Sequence, residues 1–354
     1  MEKDTALQVL KGLGYKCLAP LRVSEYQEKA TTEYVKQVED GMFLGKIIDT
    51  ETTGLEKDAQ IFEIGMTLFL YDKDQNITFV NTIEMFEEPT VRIPQDVTTI
   101  TGRTAEDVKG KAFPEEVIRN IFTKPGIVIA HNASFDRPKL EKRFPIFQKC
   151  AWACTQRDLQ WLQKYKQVDT KLRLLVEDVV GKYFHGHHAT DDTLATFEVL
   201  LQNSPFEKTY FQELMLAAKV PTLRVYAVDT PYAKKEIVKS LGYRWNDQHK
   251  MYSKDIEHDA YDAEKKDIED AVYKYTLSPN EFPCTKVTAA NRYSERICPP
   301  QDFLHHVYPF KPKKGQHLCN IAKESPSALT WALENVSDLS NAMRRSIQFW
   351  LNQK

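Results

Sequence analysis

The chain has 354 residues, 42% of them hydrophobic and 28% charged, with a formal net charge of −2. This is length enough for two or three domains, and the composition is that of a globular protein in water. No apolar run approaches the roughly 20 residues a membrane span needs, and the first residues lack the basic and apolar regions of a secretory signal. Near-neutral charge gives no global nucleic-acid signature. Six cysteines, at positions 17, 150, 154, 284, 298 and 319, include no CxxC pair. That pattern fits reduced thiols, so a cytoplasmic chain without membrane association is expected.

Taken in order, residues 1–40 read as a helix (Ala6, Leu7, Val9, Leu10, Leu13) and an irregular polar segment, an appendage to the next domain. From Gly41 the pattern sharpens. Strands are predicted over Phe43–Asp49, Gln60–Tyr71 and Ile77–Phe86, with the polar run 72–76 as the hairpin turn. Helices follow at Thr104–Val108 and Phe113–Phe122, the second entered through Pro114. Gly126–Ala130 is a short, wholly apolar strand of the kind covered on both faces. It runs into His131-Asn-Ala-Ser-Phe-Asp136, where a strand gives way to a helix. Helices are predicted around Arg157–Tyr165 and Leu172–Val180, then over Thr193–Leu201 behind Phe184-His-Gly-His-His-Ala-Thr-Asp-Asp192.

A boundary falls near Lys219-Val-Pro221. Beyond it a strand (Leu223–Val228), a helix (Tyr232–Leu241) and a second strand (near Lys250–Lys254) make a small α+β module. The expected organisation is an appendage at 1–40, a central domain at 41–218, the α+β module at 220–276, a Pro-containing linker at 277–302 and a helical module at 303–354.

The chemistry gathers in the central domain. Asp49 and Glu51 sit i, i+2 on a strand and project from one side of the sheet. Side-by-side carboxylates repel unless a cation lies between them. Asp136 and Asp192 stand at a strand end and a helix start, so one site at the sheet edge can hold all four. Four hard oxygen donors without thiolates select Mg²⁺ or Mn²⁺, and two such ions can serve phosphodiester hydrolysis. His187, with an ordinary pKa of about 6.5, suits accepting a proton from the attacking water. His187 is preferred to His185 and His188 because it alone has the acid five residues on.

In order, DTETTGL, HNASFD and HHATDD resemble the signature of the DEDDh (DnaQ-like) 3′–5′ exonucleases, which include the DNA polymerase III ε subunit and exodeoxyribonuclease X. The similarity runs from about Leu44 to Leu201 and takes in Ile100-Thr-Gly102 with Arg103-Thr104. The resemblance implies an α/β fold: a ribonuclease H-like exonuclease domain, a mixed sheet flanked by helices, followed here by two small C-terminal modules. It implies metal binding by Asp49, Glu51, Asp136 and Asp192, with His187 as general base. It also implies that Leu55 wedges beside the terminal base, and that Thr52, Asn132 and Phe135, from the same motifs, meet the substrate. Single-stranded or frayed DNA is the expected substrate and RNA the alternative, with nucleoside 5′-monophosphates as products. A polymerase partner or a homodimer, and a place in DNA replication or repair, follow from the same resemblance. A rival of another class is a nucleic-acid-binding polymerase accessory or scaffold. Residues 310–350, with Lys314-Gly315, Trp331 and Trp350, resemble the C-terminal domain of exodeoxyribonuclease X-type proteins.

Other features have plain readings. Glu63, in Ile61-Phe-Glu-Ile-Gly65, reads equally as support for the site and as an ordinary strand carboxylate. Cys284, Cys298, His305, His306, His317 and Cys319 lack the spacing of a zinc site. Lys311, Lys313, Lys314, Arg344 and Arg345 could track phosphates, with Tyr243 or Trp245 stacking on bases; a basic loop and core aromatics read as well.

Overall fold

The computed structural model describes residues 3–22, 26, 38, 41–247, 249–337 and 339–353. The chain forms two compact units, one of Met1–Val220 with Ala289–Glu295, the other of Pro221–Thr288 with Arg296–Lys354. Among the described residues no helix is long and apolar enough to cross a membrane.

The first unit is built on a mixed sheet. Strands β1 (Ala19–Pro20), β2 (Phe43–Thr52), β3 (Ile61–Tyr71), β4 (Ile77–Phe86), β5 (Ile127–Ala130), β6 (Ala151–Cys154) and β7 (Lys182–Tyr183) belong to it. The five longer ones lie in the order β4-β3-β2-β5-β6, and β1 pairs with β7 apart from them. β2, β3 and β4 are antiparallel, whereas β5 runs parallel to β2 and β6 parallel to β5. β3 is buried along its whole length, as its largely apolar sequence requires of a strand covered on both faces. Alternation along β2 assigns the two cores. Leu44 and Ile48 pack with Ile118, Ala133 and Leu140 on one face. Ile47 packs with Leu194, Ala195 and Phe197 on the other. This is the expected mixed sheet flanked by helices of a ribonuclease H-like fold.

Several local expectations need correction. The helix expected over Arg157–Tyr165 is a single turn, Thr155–Asp158, because Trp161 and Tyr165 turn into the core. Helix Gln95–Thr101 precedes Gly102, in a stretch to which no element was assigned. The helix behind the histidines begins at Ala189, not Thr193. At the N-terminus, helix Lys3–Gly12 is present, and Leu21 and Tyr26 pack on the core. Residues 1–2, 23–25, 27–37 and 39–40 of the expected appendage lie outside the described residues.

The second unit has an antiparallel sheet of β8 (Thr222–Ala227), β9 (Arg244–Asn246), β10 (Met251–Glu257) and β11 (Cys284–Val287), ordered β11-β8-β10-β9. β11 lies in the stretch read as a linker, so 277–302 is structured: backbone pairing with β8 orders it. Leu223, Val225 and Ala227 face Val238, Ile268 and Phe282. Tyr226, Val228 and Met251 face Phe303. Helices Leu318–Glu324, Pro326–Asn335 and Asn341–Leu351 pack together around Ile321, Leu329 and Ile347. Tyr243 is buried and unavailable for stacking, whereas Trp245 is half exposed. The Arg344 guanidinium donates to the carbonyls of Leu333, Val336 and Leu339, so it closes the end of helix Pro326–Asn335 and is not free to track phosphates.

Candidate active site

β2 ends in Asp49-Thr50-Glu51-Thr52, and its pleat sends Asp49 and Glu51 to the face that bears helix Ala189–Leu201. Asp192 lies in the first turn of that helix. One carboxylate oxygen from each of Asp49, Glu51 and Asp192 lies within 4.8 Å of the other two. Thr50 points to the opposite face, toward helix Ala133–Arg143, whose first turn carries Asp136. There the Thr50 amide and hydroxyl both donate to Asp136 Oδ1, at 3.1 and 2.8 Å. The three acids thus meet directly, and the fourth reaches the strand end from across the sheet.

Their electrostatics reflect this crowding. Burial raises the Asp49 carboxyl well above its ordinary range, and the charges of Asp136, Asp192 and Glu51 push it further. Glu51 is pushed up to about 9 by burial and by Asp192, Glu63 and Asp136. Burial lifts Asp136 to about 7 against the opposing Thr50 hydrogen bonds. Asp192 rises to about 7 through burial, opposed by the His187 amide and assisted by Asp191 and Glu63. Half-buried carboxylates that disfavour their own charges, offering oxygen donors alone, fit a divalent cation of the Mg²⁺ class. Among the described residues this is the one group of three or more potential ligands within reach of one another. The scattered Cys and His side chains of the C-terminal half form no such group.

Two buried features hold the helix against the strands. Gly65 pairs with Asp49 across the ladder, and a Cβ there would lie 2.2 Å from the Ala189 carbonyl carbon. Only glycine permits that approach. Glu63 pairs with Glu51 and is fully buried. Its carboxylate accepts from Arg103 Nε (2.7 Å) and Nη2 (3.1 Å) and from the Ala189 amide (3.1 Å) at the helix start. Arg103 Nη2 also donates to Glu84 (2.6 Å). Both features lie in Ile61-Phe-Glu-Ile-Gly65. The available signal was a carboxylate and a glycine inside an otherwise apolar strand.

The remaining expected residues fall as follows. His187 is exposed at φ 73°, and its amide donates to Asp192 Oδ2 at 2.8 Å. His188 stands at the N-cap position of helix Ala189–Leu201 without a side-chain capping bond, and its ring lies near Gly102. Leu55 is 84% exposed, and the Thr52 hydroxyl donates to the Gly54 carbonyl. Asn132 adopts φ 76° at the turn from β5 into helix Ala133–Arg143 and accepts from the Ser134 hydroxyl. The Lys139 ammonium stands 3.9 Å over the Phe135 ring. His131 is not free for proton transfer. Its ring bridges Thr155 Oγ1 and the Thr170 carbonyl, and burial lowers its pKa to about 4.

The exonuclease family model (RNase_T) matches residues 47–200. Over these residues the match supports a domain of the DEDDh-type 3′–5′ exonuclease family. Over 163 residues the chain is 31% identical to a PolC-type DNA polymerase III of Caldanaerobacter subterraneus subsp. tengcongensis, covering 44% of this chain and 11% of that protein. It is 29% identical over 187 residues to the PolC-type enzyme of Clostridium perfringens, covering 51% and 12%. The match thus covers about a tenth of the length of these relatives. Among solved structures, exonuclease X in complex with 5′-overhanging duplex DNA is 26% identical, covers 44% of this chain and 87% of that one, and superposes with a TM-score of 0.34. Within the exonuclease domain, all three sequence motifs converge on the C-terminal end of β2.

Proposed function

We propose that the protein is a divalent-metal-dependent 3′–5′ exonuclease that removes nucleoside 5′-monophosphates from single-stranded or frayed DNA. The observation that carries this reading is the convergence of Asp49, Glu51 and Asp192 within 4.8 Å at a half-buried strand end. Asp49, Glu51 and Asp192 would hold Mg²⁺ or Mn²⁺, with Asp136 beside them on Thr50. When bound, two such ions supply an activated water and offset the charge that develops on the phosphodiester oxygens. His187, on the loop before Asp192, would accept a proton from the attacking water. Its exposed position on a left-handed residue lets the imidazole swing to the site while its amide stays on Asp192. Leu55, 84% exposed just past the Thr-Thr-Gly turn, offers an apolar side chain for the terminal base. Thr52, Asn132 and Phe135 shape the turns on either side of it. The curated relatives are DNA polymerases, which supports DNA over RNA and a polymerase as partner.

A 5′-labelled single-stranded DNA, a matched RNA and a frayed duplex, incubated with Mg²⁺ or with a chelator, test the reading. Stepwise shortening from the 3′ end of the DNA, abolished by the chelator, is expected. RNA degraded faster than DNA would reassign the substrate, and no shortening of either would reject the activity.

A further inference from the structure

Helix Ala133–Arg143 carries Asp136 and, at the next position, the fully buried Arg137. The guanidinium of Arg137 donates to the carbonyls of Ala290 (2.6 Å), Arg292 (2.6 Å) and Ala289 (3.4 Å). Its Nε donates to Glu141 at 2.8 Å, and it lies over the Trp152 ring. All three carbonyls belong to Ala289–Glu295, a segment nearly a hundred residues past the family match, with neighbours on both sides in the second unit. The segment is fastened along its length. The Trp152 amide on edge strand β6 donates to the Ala289 carbonyl at 2.8 Å. Ser294 Oγ donates to the other Glu141 oxygen at 2.6 Å. Tyr293 OH and Arg292 Nη1 donate to Asp158 at 2.5 and 3.3 Å, and Arg292 Nη2 donates to the Val220 carbonyl at 2.7 Å. Glu295 pairs with Lys57, just beyond Leu55.

A buried guanidinium is tolerated only when its N–H groups find partners. Three of the acceptors of Arg137 are carbonyls supplied by residues 289–292. Neighbouring helix residues are about 100° apart, so a fixed Arg137 fixes the roll of the helix and with it the direction of Asp136. Productive geometry at such sites tolerates only about 0.5 Å or 10–20°. We propose that residues 289–295 are a working part of the exonuclease site, a strap that acts through Arg137 to hold Asp136 against Thr50. Arg137 is then a positioning residue. The strap, though encoded far from the motifs, completes the fold that presents them. The catalytic half of this statement rests on the proposed function.

The test uses the full chain with Arg137→Met, which keeps the apolar stem and removes the donors, and with the double variant Tyr293→Phe/Ser294→Ala, which loosens the strap and leaves Arg137 in place. The Thr50 amide, which donates to Asp136, is followed by hydrogen exchange without metal, and Mn²⁺ affinity is titrated separately. Faster Thr50 exchange at unchanged protection of the β3 amides is expected, with Mn²⁺ affinity lower on the order of 10- to 100-fold. kcat should fall while KM stays put. Wild-type exchange and Mn²⁺ affinity in folded Arg137→Met protein would overturn the proposal. If that variant fails to fold, the double variant decides by the same readouts. If the wild type degrades no nucleic acid, the exonuclease reading fails while Thr50 exchange still judges the strap.

Discussion

Gly65 lies so close to Ala189 that a single added methyl would come within 2.2 Å of the Ala189 carbonyl carbon. Because Gly65 faces Asp49 across the ladder, this contact sets how near Asp192 comes to Asp49 and Glu51. Gly65→Ala should push helix Ala189–Leu201 off the sheet at a cost of about 1–3 kcal/mol. Denaturant unfolding reads that loss, and a Mn²⁺ titration of the folded variant should show weaker binding. Unchanged stability together with unchanged Mn²⁺ affinity would show that the close approach does not place Asp192.

Arg103 and Glu63 make a second clamp on the same helix. Glu63→Ala leaves the Ala189 amide without its acceptor and Arg103 with only Glu84. Breaking a buried pair from one side costs roughly 3–5 kcal/mol. Glu63→Gln keeps an acceptor for Ala189 and should cost less. Thermal melts of the two variants check the order, and equal losses would argue that charge alone matters.

The carboxylates should make the metal-free protein less stable at high pH. In the unfolded chain they ionise near their ordinary values of about 4. In the folded protein Asp136 and Asp192 hold their protons to about 7 and Glu51 to about 9. Between those values the folded state binds more protons than the unfolded state, so stability falls as pH rises through the window. Melting in a chelator should therefore show a Tm that declines from about pH 5 to about pH 9. Added Mg²⁺ should raise Tm more at the alkaline end, where ligands are already deprotonated. A flat profile, or one rising with pH, would contradict the crowding of these acids.

Much of this was legible in the sequence, for reasons that can be traced to particular residues. Asp49 and Glu51 announced themselves because a period-two strand puts both on one face, and Asp192 because a helix start follows the histidines. Strands β2, β3 and β5 followed from their largely apolar runs, and the mixed sheet from the family resemblance. The division between Asp192 and Asp136 was not legible, because which face of β2 a distant helix covers is a tertiary fact. Glu63 was seen but not understood: its partner Arg103 is forty residues away. The role of 289–295 was hidden for a related reason. Backbone carbonyls serve Arg137 there, and carbonyls carry no side-chain signature. The helix at 157–165 was overread because Trp161 and Tyr165 satisfy a helical period while packing from turns.

His187→Ala should fold normally and lose roughly 10²–10⁴ in kcat, the range for removing a positioned general base. His188→Ala should lose far less, because the His188 ring lies near Gly102. Steady-state rates on one oligonucleotide separate them. The reverse order would move the proton acceptor to His188.

The most direct measurement follows the first product released from a 3′-end-labelled single-stranded DNA by the wild type, Asp49→Asn and His187→Ala proteins in Mg²⁺. The proposed function predicts a labelled nucleoside 5′-monophosphate from the wild type at the first turnover, and roughly a hundredfold slower release, or more, from both variants. Labelled oligonucleotide fragments from the wild type, or near-wild-type release by both variants, would contradict it.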